Sequence, residues 1–253
     1  MSNKIIAIIP ARYESSRFPG KPLAIINGKP MIQRVYEQTS KAFNDVCVAT
    51  DDMRIFETVE KFGGKAIMTS KSHRSGTDRC LEAYYKYIGN NKNNSDIVIN
   101  VQGDEPYIHP EQLCELSNCF NDDNIQIATL VKKIHTTKEL FNNNSPKVIL
   151  DKNNFALYFS RAPIPFSREH EIDDNFIEIS NYYRHIGLYG YRATILEQIC
   201  NLPESFLEKT EKLEQLRWLE NGYKIKTALT EYETYAVDTP EDMALLNSKK
   251  LSF

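Results

Sequence analysis

The feature that most constrains the fold is a regular alternation in the first part of the chain. Four apolar runs of strand length are separated by three segments with helical periodicity. The predicted strands are KIIAIIPA, DVCVAT, KAIMT and DIVINV, and the predicted helices are PMIQRVYEQTSKAF, MRIFETVEKFGG and TDRCLEAYYKYI. Strands that alternate with helices favour a mostly parallel sheet with helices on both faces. The pattern therefore predicts an α/β fold.

Beyond Gln126 the pattern changes. Antiparallel strands are predicted for IQIATLVKKI and for the pair KVILD and FALYFSR, which a polar turn at 152–154 joins. A small inserted antiparallel lobe at about 130–190 follows from this, within one domain that covers residues 1–253. RAPIPFSREHEIDDNF is expected to be irregular. The remaining chain predicts a strand at RHIGLYGYR, one helix in LEKTEKLEQLRWLENG, a strand at YKIKTALT and a last helix after VDTPED.

Composition excludes several partners and compartments. The net charge of −3 gives no general attraction to nucleic acid or to an anionic membrane. No apolar run approaches the roughly 20 residues of a membrane span, and no signal peptide pattern is present. Five scattered cysteines without a Cys-x-x-Cys pair predict reduced thiols in a cytoplasmic protein.

The first predicted strand ends at a loop that carries three cations. They are Arg12, Arg17 and Lys21, and Gly20 stands among them. Ligands of parallel sheets bind at the carboxyl ends of the strands, and phosphates are bound there by backbone N–H groups, arginine and lysine. The loop matches neither a P-loop nor G-x-G-x-x-G. Although a solvated surface loop is the alternative, three cations together favour a triphosphate site.

A second polar segment, HRSGTDR, precedes the third predicted helix. Arg74, Ser75 and Gly76 stand before a helix that should begin near Thr77, with Ser75 or Thr77 as its cap. A helix N-terminus carries partial positive charge and free N–H groups. The segment could therefore hold a phosphate or the edge of a base, and capping alone is the alternative.

Two aspartates at strand ends could hold one metal ion. VQGDEP puts Asp104 after a buried strand, where a simple turn is the alternative. In VDTPED, Thr239 and Asp242 resemble a capping box with Pro240 at the first helical position. Asp238 is then not needed for capping. Because Mg²⁺ prefers one or two carboxylates plus phosphate oxygens, the two aspartates could clamp it if the fold brings them together.

The second half of the chain offers candidates for a polar pocket. In RHIGLYGYR, alternate residues share a face, so His185 and Tyr189 lie on the same side of the strand. The alternative for His185 is a satisfied core or surface histidine. Arg161 lies in the proline-rich loop FSRAPIPF. Glu214 and Gln215 fall off the apolar face of their predicted helix, so an exposed surface is their simplest interpretation.

Taken in order, these motifs resemble one enzyme family. The segment IIPARYESSRFPGKPL is similar to the signature of sugar nucleotidyltransferases. The later motifs resemble the 3-deoxy-manno-octulosonate (Kdo) cytidylyltransferases; they are VQGDEP, FSRAPIPF, HIGLYGYR, LEQLR and VDTPED. The resemblance runs from about Ile5 to Met243. It implies a Rossmann-like nucleotide-diphospho-sugar transferase fold and a homodimer formed through the inserted lobe.

The resemblance also implies an activity and residue roles. CMP would pass from CTP to Kdo with release of pyrophosphate, with Mg²⁺ as cofactor, for lipopolysaccharide biosynthesis. The implied catalytic residues are Lys21, Arg12, Asp104 and Asp238, and the two aspartates would hold the metal. The implied nucleotide-binding residues are Ala11, Arg12, Arg17, Lys21, Arg74, Ser75, Gly76, Gln102 and Gly103. The implied sugar-binding residues are Arg161, His185, Tyr189, Glu214 and Gln215.

Two kinds of alternative function stay open. A related cytidylyltransferase could use 8-amino-Kdo or a sialic acid, because one or two contacts can decide whether an enzyme accepts a hydroxyl or an amine at one position of the sugar. The implied sugar-binding residues are called the sugar set below. The segment 168–183, which lies next to them in the sequence, matches no motif of the family. A non-catalytic relative could sense a nucleotide, although such a protein should have lost Lys21, Asp104 or Asp238 first. Nucleic-acid binding has little support, because the cations are local.

Overall fold

The structure is a computed structural model that describes residues 4–14, 18–90, 93 and 96–248. Arg17 of the predicted cation loop lies outside the described residues. The chain divides into two compact units. The first unit contains Met1–Cys114, Tyr191–Cys200 and Glu233–Phe253, and the second contains Glu115–Gly190 and Asn201–Tyr232. Within the described ranges, no helix is both long enough and apolar enough to cross a membrane.

Strands and helices alternate along most of the chain. The strands are β1 (Ile5–Ala11), β2 (Ile25–Ile26), β3 (Lys29–Pro30), β4 (Val46–Thr50), β5 (Ala66–Met68), β6 (Ile97–Asn100), β7 (Ile127–Lys133), β8 (Lys147–Leu150), β9 (Ala156–Ser160), β10 (Tyr183–Arg192) and β11 (Ile225–Leu229). The α-helices are α1 (Met31–Ala42), α2 (Met53–Lys61), α3 (Gly76–Ile88), α4 (Pro110–Asn118), α5 (Thr137–Leu140), α6 (Asp174–Ile179), α7 (Ala193–Cys200), α8 (Phe206–Glu211), α9 (Gln215–Glu220) and α10 (Pro240–Ser248). Short 3-10 helices cover Lys21–Leu23 and Cys119–Asn121.

The first unit is built on a parallel sheet in the order β6-β1-β4-β5. In the central strand β1, Ile6, Ile8 and Ile9 are fully buried. A strand covered on both faces reads as a continuous apolar run, because neither face meets water. Helices α1, α2 and α3 pack against these strands. The predicted α/β fold with a mostly parallel sheet and packed helices is confirmed.

The second unit contains the predicted antiparallel strands. β8 pairs antiparallel with β9 and with β10, and the turn between β8 and β9 covers the predicted residues 152–154. β7 pairs in parallel with β11, with Ile127 opposite Ile225. On its other edge β7 runs antiparallel to β10, since the Thr129 hydroxyl bonds the carbonyls of Ile186 and Leu188 while the Ile134 N–H bonds the carbonyl of Tyr182. The antiparallel prediction for β7 therefore holds on its β10 side and not on its β11 side. The first six residues of β7 are buried without alternation, which is the signature of a strand covered on both faces.

The predicted single helix in LEKTEKLEQLRWLENG is wrong, since two short helices replace it. α8 ends at Glu211, its C-cap Lys212 has a left-handed backbone with φ of 55°, and α9 starts beyond it. Arg217 of α9 reaches back to Glu208 of α8 with two donors, at 2.7 and 2.6 Å. The break turns Gln215 inward, where it is only 5% exposed. The prediction that Gln215 lies on an exposed surface is therefore wrong.

One further correction concerns the segment expected to be irregular. Its end forms the start of helix α6, whose N-cap is Asp173. The Asp173 carboxylate accepts a hydrogen bond from the Phe176 N–H at 2.7 Å. Aspartate is a favoured N-cap because its carboxylate satisfies an otherwise unpaired N–H of the first turn.

Candidate active site

An open cleft of about 520 Å³ lies in the first unit, where β1 and β6 end. Parallel strands bring their carboxyl ends to one edge of a sheet, and ligands bind at that edge. The cleft volume is in the range of small-molecule sites. Its lining residues are Pro10, Ala11, Arg12, Glu14, Lys21, Pro22, Gly76, Arg79, Gln102, Gly103, Asp104 and Asp238. Six of the predicted nucleotide-binding residues are among them, namely Ala11, Arg12, Lys21, Gly76, Gln102 and Gly103.

Two glycines let the backbone come close to a ligand in this cleft. A Cβ on Gly103 would lie 2.7 Å from the carbonyl oxygen of Pro10, so a side chain has no room there. A Cβ on Gly76 would lie 3.3 Å from Cγ of Pro10. Gly76 is the first residue of α3, one residue earlier than predicted, and Ser75 caps the helix by accepting from the Asp78 N–H at 3.1 Å. The positive end of α3 therefore faces the cleft.

Lys21 joins the two predicted metal-binding carboxylates. Its Nζ lies 2.7 Å from Oδ2 of Asp104 and 3.4 Å from Oδ1 of Asp238. Gly20, with a left-handed φ of 72°, caps the short 3-10 helix that begins at Lys21. The Val237 N–H donates to the Asp104 carbonyl oxygen at 2.9 Å and so ties the two aspartate segments together. Both carboxylates already share one cation, so this donor set fits a divalent metal ion that also binds phosphate oxygens.

The segment around Asp238 has the predicted capping box. The Asp242 N–H donates to Oγ1 of Thr239 at 3.2 Å, and Oδ2 of Asp242 accepts from the Thr239 N–H at 2.9 Å. The same Oδ2 accepts from the Asp238 N–H at 2.9 Å. These bonds fix the backbone at the start of α10. The Asp238 carboxylate is thus directed to Lys21 rather than to the helix.

The predicted cations do not all face the cleft. Arg12 lines it, is exposed, and makes no hydrogen bond to any described residue. Arg74 is exposed and stands outside the cleft lining, at least among the residues that the structure describes. The geometry therefore brings Lys21 and Arg12 together as the charges available to a bound anion.

Arg79 is a lining residue that the sequence reasoning missed. Its side chain is 1% exposed and donates to Oδ2 of Asp51 at 2.8 Å and to Oγ1 of Thr69 at 2.6 Å. These partners follow β4 and β5, so Arg79 ties α3 to the edge of the sheet. The available signal was an arginine three residues after Gly76, which places it on the same face of α3.

In the second unit, the predicted pocket residues on β10 meet through their rings. The ring centroids of His185 and Tyr189 are 5.2 Å apart, and Phe159 stands edge-on to His185 at 5.1 Å. Burial lowers the pKa of His185 to about 3, with Arg184 adding to the effect, so its ring is neutral at pH 7. Nε2 of His185 lies 3.0 Å from Oγ1 of Thr129. Burial also raises the pKa of Tyr189 well above its usual value.

The remaining predicted sugar-binding residues also lie in the second unit. Nε2 of the buried Gln215 has no hydrogen-bond partner among the described residues. A buried amide without a partner is costly, and binding sites are where such groups are found. Arg161 donates from Nε to the Glu211 carbonyl at 2.8 Å and from Nη1 to the Asn143 carbonyl at 3.0 Å. Glu214 precedes Gln215 at the N-cap position of α9.

The fold and the cleft define a nucleotide-binding α/β protein with paired carboxylates at its strand ends. Residues 6–225 match the sequence profile of the family described as Cytidylyltransferase. A protein of Parabacteroides distasonis named 3-deoxy-manno-octulosonate cytidylyltransferase is 59% identical over 244 residues, 95% of each chain. One of Thermodesulfovibrio yellowstonii with the same name is 54% identical over 242 residues, 94% of each chain. The chain belongs to the 3-deoxy-manno-octulosonate cytidylyltransferase family.

Solved structures agree with this relationship. A CMP:2-keto-3-deoxy-manno-octonic acid synthetase complexed with CTP has a TM-score of 0.87 and 42% sequence identity. The match covers 97% of this chain and 98% of that one. A 4-diphosphocytidyl-2C-methyl-D-erythritol synthase of Anaerococcus prevotii has a TM-score of 0.60 at 15% identity over 97% of each chain, which shows a shared fold alone.

Proposed function

We propose that this chain transfers CMP from CTP to Kdo and releases pyrophosphate. The observation that carries the proposal is the position of Lys21, which holds Asp104 and Asp238 together in a cleft that Arg12 also lines. Relatives that share 48% to 59% of their residues with the chain bear the name of this activity. The site therefore has the groups that a nucleoside triphosphate requires.

The transfer is a substitution at the α-phosphorus of CTP. The anomeric hydroxyl oxygen of Kdo forms the new P–O bond, the bond to the oxygen that bridges to the β-phosphate breaks, and the hydroxyl proton leaves to solvent. Negative charge grows on the departing pyrophosphate. Lys21 and Arg12 are placed to stabilise it, and fixed charges of this kind supply much of the rate in phosphoryl-type transfer.

Mg²⁺ belongs to the proposal, with Asp104 and Asp238 as the protein ligands. The metal would neutralise charge on the triphosphate when bound. Lys21 is only 14% exposed and occupies the position shared by both carboxylates. With a metal ion held by both carboxylates, the Lys21 ammonium would be available to phosphate oxygens. No general base is assigned, because no described group in the cleft lining is a clear candidate.

The sugar set lies in the second unit and suits a polyol whose single charged group is a carboxylate. Neutral His185 can accept or donate a hydrogen bond, and Gln215 offers a buried N–H that no described residue pairs with. The guanidinium of Arg161 uses three of its five N–H groups on backbone carbonyls, and a planar guanidinium suits a carboxylate. These properties suit a sugar acid such as Kdo as the acceptor.

We include a homodimer and a cytoplasmic location in the proposal. Leu157, within FALYF, is 59% exposed on β9, as expected of an apolar side chain that a second copy would cover. The five cysteines, all of them described residues, form no disulfide. Light scattering at micromolar concentration should give twice the mass of 29.2 kDa. A monomer mass would remove the dimer.

The direct test is pyrophosphate release by the purified chain with Mg²⁺. CTP should be paired with Kdo, 8-amino-Kdo and a sialic acid, and then replaced by ATP, GTP and UTP. Release with CTP and Kdo alone is the expected result. Release only with another sugar would keep the nucleotide assignment and overturn the acceptor. Silence from a folded chain that still binds CTP would favour a sensing protein.

A further inference from the structure

Both oxygens of the Glu211 carboxylate accept hydrogen bonds at the end of strand β9. Oε1 accepts from the Ser160 hydroxyl at 2.6 Å, and Oε2 accepts from the backbone N–H of Arg161 at 2.9 Å. Ser160 is only 3% exposed, so these bonds are shielded from water. Hydrogen bonds to a charged acceptor are stronger than neutral ones. Glu211 therefore holds two consecutive residues of another segment.

The contact is reciprocal. Arg161 returns a hydrogen bond from Nε to the carbonyl oxygen of Glu211 at 2.8 Å. The fully buried Lys147 donates to the Arg161 carbonyl at 2.7 Å and to the carbonyls of Asn142 and Ser145 at 3.0 and 2.8 Å. The backbone at Arg161 is thus held through its N–H, its carbonyl oxygen and its side chain. No comparable set of bonds is required merely to end a strand.

We propose that Glu211 is a positioning residue for binding of the acceptor sugar. It fixes the place of Arg161 relative to Glu214 and Gln215. This inference rests on the proposed sugar set. Arg161 lies far from Gln215 in sequence, whereas Glu211 comes four residues before Gln215, just ahead of the left-handed Lys212. The carboxylate is therefore the link between two segments that must keep a fixed spacing. A displacement of about 1 Å in a binding group can cost roughly 100-fold in rate.

The first test is Glu211→Ala, measured by steady-state kinetics with each substrate varied in turn. The KM for Kdo should rise about tenfold or more, because Arg161 loses its anchor, while the KM for CTP should stay within about twofold. Glu211→Gln should stay within about threefold of wild type for Kdo. Its amide oxygen can accept from the Arg161 N–H, and its amide N–H can donate to the Ser160 oxygen.

Glu208 is the matched control, because it lies on the same short helix and its carboxylate also bonds another segment of the chain. Among the described residues its side chain bonds Arg217 and Ser205, and none of the sugar-binding residues. Glu208→Ala should lower the melting temperature and leave the KM for Kdo near wild type. If Glu211→Ala does not fold, Ser160→Ala removes one of the two bonds and should raise the KM for Kdo about threefold.

Two results would overturn the inference. One is an unchanged KM for Kdo in Glu211→Ala, and the other is an equal rise in Glu208→Ala. Arg161→Ala and Gln215→Met separate this inference from the proposed function. If both raise the KM for Kdo and Glu211→Ala does not, only the positioning role fails. If neither raises it, the proposed sugar set is wrong, and the role of Glu211 falls with it.

Discussion

The cleft of the first unit and the sugar set of the second are built on opposite principles. The cleft gathers charged side chains that still reach water, such as Arg12 and Asp238, whose side chain is 42% exposed. The sugar set has one guanidinium, that of Arg161, and otherwise relies largely on groups that are buried or neutral, such as Gln215 and His185. A triphosphate requires charge neutralisation, whereas a polyol is distinguished by a few oriented donors and acceptors. The contrast predicts different failures on mutation.

The largest effect is expected for Lys21→Ala. Removing the ammonium takes away the cation that is proposed to stabilise the α-phosphate, and Asp104 and Asp238 lose the partner that they share. Loss of one such stabilising group typically costs about 100- to 1,000-fold in kcat. Turnover with CTP and Kdo should fall by about that factor, measured by pyrophosphate release. Lys29→Ala is the control, because Lys29 is exposed and pairs with Glu37. Turnover near wild type in Lys21→Ala would refute its catalytic role.

Gly103→Ala tests the backbone side of the cleft. The new Cβ would lie 2.7 Å from the Pro10 carbonyl oxygen, so the strand end must shift. Overpacking of this kind costs about 1–3 kcal/mol. The affinity for CTP, measured by calorimetry, should fall about tenfold, with a lower melting temperature. Gly76→Ala should be milder, since its Cβ meets only Cγ of Pro10 at 3.3 Å. Equal effects of the two substitutions would contradict this explanation.

Gln215→Met should separate stability from sugar binding. The buried amide N–H of Gln215 has no partner among the described residues, so an apolar side chain of similar shape should keep or raise the melting temperature. The KM for Kdo should rise about tenfold, because a ligand hydrogen bond is lost. The KM for CTP should not change. A lower melting temperature with an unchanged KM for Kdo would show that Gln215 is a structural residue.

The smallest effect is a pH dependence that His185 contributes. Burial lowers its pKa to about 3 in the folded chain, against an ordinary value near 6.5. The unfolded chain therefore binds the proton first, so stability is complete above pH 6.5 and is lost as the pH falls toward 3. The slope is at most about 1.4 kcal/mol per pH unit. Urea unfolding of wild type and His185→Gln between pH 7 and pH 5 should show this difference, and parallel curves would contradict it.

The parts of the fold that local patterns determine were predictable. Continuous apolar runs indicated the buried parallel strands, and the capping box at Thr239 separated Asp238 from its helix. Pairing over a long distance was not predictable in the same way. The antiparallel direction of β7 holds toward β10, but its parallel pairing with β11, which lies far along the chain, had no local signal.

The cleft could be predicted better than the second unit, because strand ends gather at one sheet edge. Arg79 was missed because an arginine on a helix usually faces water, and only the contacts with Asp51 and Thr69 explain its burial. The inward turn of Gln215 depends on the left-handed Lys212. No local signal marks that residue, since tertiary bonds stabilise a conformation that usually favours glycine.

The most direct measurement is a fluorescence titration of Trp218, the single tryptophan of the chain. Trp218 stands edge-on to Tyr189 at 5.1 Å and lies three residues from Gln215. Kdo should be added to the chain in the presence of the α,β-methylene analogue of CTP, which cannot release pyrophosphate. A saturable change in emission, shifted to higher Kdo concentration in Gln215→Met, is the predicted result. An emission that Kdo leaves unchanged, from a chain that turns Kdo over with CTP, would contradict the assignment of the sugar to the second unit.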